Sequence, residues 1–314
     1  MNVNPPAYPR EAHPMVGEEI KPALQIIASE QADGLAEELV AAYCLQRPDI
    51  RCRVTLAAEE AAFALVINKR ASLAITGREI FPFEAVPWKK LLGTPPFAIP
   101  IALSPSLPEP ARSLSVAVYV HHTNPLQNLT LAQLGSIFTQ GNPQGDYSRW
   151  GQLGLSGEWA ERGLHPLLLP ETSPIGGYLQ RSHFCGRERS YHSEYVAQTD
   201  ALMARLAQDP CAIGIAELGR ESGMLRRVPL VADNGEEARY GSTAEMQQQK
   251  YPLTRYLWLS LPLDQSAKLE ADAAAFARFI LSAVGQEIVG RHPRFASPGD
   301  TVLQQHSARL ATHL

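Results

Sequence analysis

Short apolar strands alternating with amphipathic helices constrain this chain more than any other feature. Residues 24–27 (LQII) read as a strand, ASEQADG follows as a polar turn, and Leu35, Leu39, Val40 and Tyr43 then recur at helical spacing. Ser29 in that turn is placed to cap the helix, because its hydroxyl can accept from a free first-turn N–H. Residues 51–56 alternate as a second strand, 59–70 read as a helix, and 73–75 as a buried strand running into the turn TGRE at 76–79. The pattern restarts after a Pro-rich stretch (93–112), with a strand at 113–120 (SLSVAVYV) and a helix at 129–138 opened by Thr130. A strand at 167–169 and a loop at 170–177 feed a helix from about Tyr178, and a strand follows at 211–216 (CAIGIA). Alternation of this kind specifies α/β layers with largely parallel sheets.

The chain then runs through a polar excursion at 235–250, a strand at 256–261 (YLWLSL) and an amphipathic helix at 272–289. Phe276, Phe279, Ile280, Ile288 and Val289 share one face of that helix. This last strand and helix are detached from the second α/β unit. Packed back on the first, they make it discontinuous and require two chain crossings, the geometry of a hinged, two-lobed binding protein with a ligand cleft. The expected division is an irregular arm (1–22), lobe 1 (23–112 plus 253–300), lobe 2 (113–252) and a C-terminal tail (301–314).

Composition narrows the function. Lys plus Arg number 28 against 32 Asp plus Glu, a net charge of −4, so the basic excess of a nucleic-acid binder is missing. No uninterrupted apolar window is long enough to span a bilayer. The first 22 residues contain prolines and acids but no apolar signal core, so the chain is either cytoplasmic or shorn of a leader. The four cysteines fall as local pairs, Cys44 with Cys52 and Cys185 with Cys211. They read equally as two disulfides of an oxidising compartment or as unrelated buried thiols. Neither His121-His122 nor the His183 and His192 that flank Cys185 have zinc spacing. Nucleophile-elbow, zinc-protease and phosphate-loop motifs are all missing, so neither catalysis nor a cofactor is expected.

Five segments, in order, resemble the phosphate-type substrate-binding proteins of ABC transporters. They are SLAITGREIFPFE from Ser72, NLTLAQLGSIFTQG from Asn128 with WGQLG from Trp150, CAIGIA from Cys211, YPLTRYLW from Tyr251, and the helix of Phe276, Phe279-Ile-Leu and Gly285-Gln-Glu-Ile-Val. The resemblance covers about residues 24–298. It implies a type II periplasmic-binding-protein fold: two lobes, each a central mixed sheet flanked by helices, joined by two hinge crossings. It also implies a monomer in the periplasm or another extracytoplasmic space, where disulfides are compatible.

In that family three loops, each before a helix, surround a tetrahedral oxyanion. Helix-start N–H groups, hydroxyls and an Arg fork replace the water that the anion loses. The matching positions imply a ligand shell of Ser29, Gln31, Thr76, Arg78, Thr172, Ser173, Gly176 and Gly177. The match is incomplete. Glu30 puts a carboxylate where a hydroxyl is usual, Ser72 replaces an Asp, and the third loop's Arg-x-x-x-Ser-Gly-Thr reads Pro170 to Gly176, with Pro174 removing an amide donor. Each lost charge-assisted hydrogen bond weakens binding by about 1.5–3 kcal/mol.

The structural alternatives are an N-cap for Ser29, an ion pair to Glu79 or Glu84 for Arg78, helix initiation for Thr172 and Ser173, and packing for Trp150 and Tyr178. The expected function is capture of a small anion, phosphate or a related oxyanion, in the cleft for the membrane component of an ABC transporter. The alternative is an interaction or signalling protein that has kept the fold, lost the anion site and recognises a protein partner.

Overall fold

The computed structural model describes residues 24–32, 34–105, 113–231 and 237–314. The expected arm at 1–22, Arg112 and the first two residues of the polar excursion lie outside them. The strands are β1 (Leu24–Ser29), β2 (Cys52–Ala57), β3 (Leu73–Thr76), β4 (Phe97–Leu103), β5 (Val116–His121), β6 (Leu129–Thr130), β7 (His165–Leu168), β8 (Glu194–Tyr195), β9 (Ala212–Glu217), β10 (Leu225–Val228), β11 (Leu230–Val231) and β12 (Tyr256–Leu261).

They form two mixed five-stranded sheets. The first has the order β2-β1-β3-β12-β4, with β1 parallel to β2 and β3, and β12 antiparallel to β3 and β4. The second has the order β10-β5-β9-β7-β8, with β5 antiparallel to β9 and β10, and β7 parallel to β8 and β9. The late strand β12 therefore lies inside the sheet begun by β1. The chain passes between the sheets twice, and the two passages hold each other: Ser104 N–H donates to the Arg255 carbonyl, and Arg255 N–H donates to Ser115 Oγ.

Helices cover the sheets, so β3 and β5 are buried along their whole length. The helix Leu35–Gln46 turns Leu35, Leu39 and Tyr43 inward, and Tyr43 meets Phe276 edge-on at 5.2 Å. The helix Glu59–Ile67 packs Phe63 against Trp88 of the helix Pro82–Leu92. Thr130 caps the helix Leu131–Phe138 by accepting from Gln133 N–H, while the Gln133 side chain returns to Thr130 N–H. Among the described residues, no single helix is long and apolar enough to cross a membrane.

The structure corrects several expectations. Ser29 caps nothing: it ends β1, a short turn (Glu30–Ala32) follows, and Gly34 at φ 86° starts the helix. The single helix read at 272–289 is two, Ala271–Leu281 and Ala283–Arg291, bent by 61°. The break falls at Ser282, whose Oγ accepts from Gly285 N–H and whose extended backbone starts the second helix. The stretch at 93–112 holds an unanticipated strand, β4, which carries Pro100 on the sheet edge, where a missing N–H does least harm. The tail at 301–314 forms, from Asp300, the helix Asp300–Ala311, which buries Leu310 and brings His313 onto Phe97 at 4.6 Å. All four cysteines are free thiols, so of the two readings of the cysteine pairs the structure has the unpaired one. Cys44 and Cys52 are neighbours, and burial beside Cys44 pushes the Cys52 thiol up to about 12.

Candidate functional site

Three loops leave the C-terminal ends of β1, β3 and β7 and lead into helices, the end of an α/β sheet where ligands gather. Gln31 of the first loop packs on Gly77 of the second, where an added Cβ would stand 2.8 Å from Gln31 Cβ. The first and third loops wall a cavity of about 490 Å³ lined by Glu30, Gln31, Ser173 and Ile175, together with Thr199, Glu217 and Arg255 from beyond the loops. Ser29 is 1% exposed, and its Oγ has no hydrogen-bond partner. A buried hydroxyl of that kind is expected to find a partner.

The second loop satisfies itself. Gly77 N–H donates to Glu59 Oε1 at 2.6 Å, and Thr76 Oγ1 donates to the Arg78 carbonyl at 2.7 Å. Arg78 is buried and forks onto Glu84 at 2.7 and 2.9 Å. Its Nε lies 3.6 Å from Glu59 Oε2, and its guanidinium covers the Phe81 ring at 3.6 Å. Burial raises the Glu59 carboxyl pKa, an effect opposed by Arg78, Arg255 and the Gly77 amide.

The third loop is also closed on itself. Ser173 caps the helix Pro174–Ser182: its Oγ accepts from Gly176 N–H and donates to the Pro170 carbonyl. Gly177 N–H donates to the Ser173 carbonyl. The glycines serve packing, since a Cβ on Gly176 would overlap the Pro170 carbonyl oxygen and stand 2.7 Å from that of Leu169. Thr172 is exposed on the loop.

Of the eight expected ligand residues, then, Gln31 and Ser173 line the cavity, Ser29 lies beside Glu30 with a free hydroxyl, and Thr172 faces solvent. Thr76, Arg78, Gly176 and Gly177 direct their donors into the protein.

Sequence reasoning missed Arg255. It sits on the second interlobe passage, 6% exposed, and donates to the carbonyls of Leu114 at 3.0 Å and Gly77 at 3.2 Å. Its guanidinium also lies over Tyr178 of the other lobe, 4.7 Å from the ring centroid. Among the described residues no carboxylate comes within 4.0 Å of it. Burial pulls its pKa down, because a charge is poorly solvated there, and Tyr178, Glu59 and Glu217 oppose that shift. Its position within YPLTRYLW was the one available signal, and burial is not written in that motif.

No protein-family model matches the chain. It is 24% identical over 254 residues to the phosphate-binding protein PstS of Pseudomonas aeruginosa, covering 77% of this chain and 73% of that one. Its fold is similar to that of PstS from Borrelia burgdorferi, with a TM-score of 0.60 at 14% identity, covering 88% of this chain and 98% of that chain. It is also similar to an ABC-type phosphate transport receptor from Vibrio cholerae, with a TM-score of 0.59 at 16% identity and coverages of 87% and 99%. The chain is homologous to the phosphate-binding protein PstS. It has the two-sheet type II periplasmic-binding-protein fold.

Proposed function

We propose that the chain is an extracytoplasmic solute-binding protein that captures an oxyanion in the interlobe cleft and delivers it to the membrane component of an ABC transporter. It binds rather than catalyses. Of the described residues, those within 23–112 and 253–300 form one lobe and those within 113–252 the other, hinged at the two passages. The observation that carries the reading is Arg255, a buried guanidinium without an ion pair on the wall of a 490 Å³ cavity. An unpaired buried charge is unfavourable by several kcal/mol, and an arriving anion relieves it. Gln31 and Ser173 line that cavity, and Ser29, next to Glu30 in the chain, has an unengaged hydroxyl.

The departures from the family's loop pattern favour a ligand other than free phosphate. Glu59 and Glu84 neutralise the second loop, where sequence had placed an anion-binding Arg. Calorimetric titration of the full chain with phosphate, sulfate and other oxyanions tests the reading. Saturable one-to-one binding by at least one is expected. Silence across the panel, with a protein partner that co-purifies, would establish the alternative of an interaction protein.

A further inference from the structure

The cleft continues beyond Arg255. A second cavity, also about 490 Å³, shares only Arg255 with the lining of the first. Its walls are of a different kind. Phe81, Tyr178, Tyr256 and Trp258 bring aromatic surface to it, and Tyr256 meets Trp258 edge-on at 6.0 Å. Arg181 enters from the opposite lobe and covers the Phe81 ring at 3.1 Å, with no carboxylate within 4.0 Å among the described residues. Guanidinium charge and aromatic faces thus share one wall.

An inorganic oxyanion has about five heavy atoms and would leave this space to water, whereas cavities of this volume hold organic ligands. The charges agree. Across the two linings Arg78, Arg181, Arg255 and Arg294 stand against Glu30, Glu79 and Glu217, so the cleft carries little net positive charge for a bare multivalent anion, and most of it lies around the second cavity.

We propose that the second cavity takes the planar apolar body of an organic oxyanion, a carboxylate or a phosphate monoester, whose head is held by Arg255 at the wall between the cavities. This rests on the oxyanion-binding reading above and narrows its solute class. The ring lies against Tyr256 and Trp258, and the head receives the unpaired guanidinium.

The test is calorimetry on the full chain with two matched pairs, benzoate against acetate and phenyl phosphate against inorganic phosphate, with the intrinsic tryptophan fluorescence, to which Trp258 contributes beside Trp88, Trp150 and Trp159, as a second readout. The ring-bearing member of at least one pair is expected to bind about tenfold tighter and to change the emission. The pair that responds identifies the head group. Trp258→Ala removes the advantage of the ring and leaves the acetate or phosphate affinity in place. Tyr256→Leu does the same in part, and serves if the Trp258 variant fails to fold. Equal affinities within both pairs overturn this proposal and leave oxyanion binding standing, whereas no binding by any of the four overturns both.

Discussion

Glu59 holds the amide of Gly77 at 2.6 Å, so a carboxylate of the protein's own helix stands on the loop that sequence assigns to a solute anion. The same carboxylate reaches Arg78 Nε and faces Arg255. An intramolecular anion of this kind competes with any dissolved one for the same donors.

Glu59→Ala is therefore expected to improve oxyanion binding. It releases the Gly77 N–H and one edge of Arg78, and it withdraws a negative charge from beside Arg255. One recovered charge-assisted hydrogen bond corresponds to about tenfold or more in affinity. Calorimetry with phosphate and sulfate on both proteins checks this, and an unchanged dissociation constant refutes it.

Arg255→Met separates binding from folding. The variant discards a buried charge that has no ion pair but strands two carbonyls, those of Leu114 and Gly77. These effects oppose each other, so unliganded stability is expected to move by less than about 2 kcal/mol. The rise in melting temperature produced by a bound oxyanion is expected to disappear. A large loss of stability with the ligand shift intact would make Arg255 a scaffold residue.

How far the sequence discloses this molecule depends on the range of the interactions involved. The β1, β3 and β5 strands and the Thr130 cap follow from neighbours in the chain, through apolar runs and a capping box, and are legible. So is the return of β12, because its strand and the following helices carry the family-like motifs. Arg255 was not legible, since its burial depends on Leu114, Gly77 and Tyr178, which lie 77 or more positions away. Arg78 was visible as a basic residue on the right loop. Its ion pair with Glu84 was legible as the alternative to a ligand role, whereas its contact with Glu59 depends on how that helix packs beside the loop. The Ser29 cap failed for a local reason, because a short turn and a left-handed Gly34 intervene before the helix.

His183 sets an acid limit. Burial lowers its pKa from 6.5 to about 4, and its Nε2 lies 2.9 Å from the Tyr178 hydroxyl. The folded pKa is below the unfolded one, so the favourable contribution is complete above about pH 6.5 and is lost as pH falls toward 4. The displacement corresponds to about 3 kcal/mol. Melting temperatures from pH 7 to 4 should fall less steeply in His183→Gln than in the parent. Parallel curves would show that this histidine is not the titrating group.

Gly176→Ala tests the close approach of the third loop's helix to the end of β7. The new methyl would press on the carbonyl oxygens of Pro170 and Leu169, which are backbone and cannot rotate away. Overpacking of this kind destabilises by about 1–3 kcal/mol, or more where backbone must move. A lower urea midpoint with an unchanged slope is expected, and an unchanged midpoint contradicts the packing described.

The most direct measurement is a crystal structure of the chain grown with selenate, a tetrahedral oxyanion, and with 4-bromobenzoate, each located by anomalous scattering. The account predicts density for at least one of them in the interlobe cleft, with an oxygen within about 3 Å of an Arg255 guanidinium nitrogen. Anions found only on the outer surface, with Arg255 still bonded solely to Leu114 and Gly77, would contradict it.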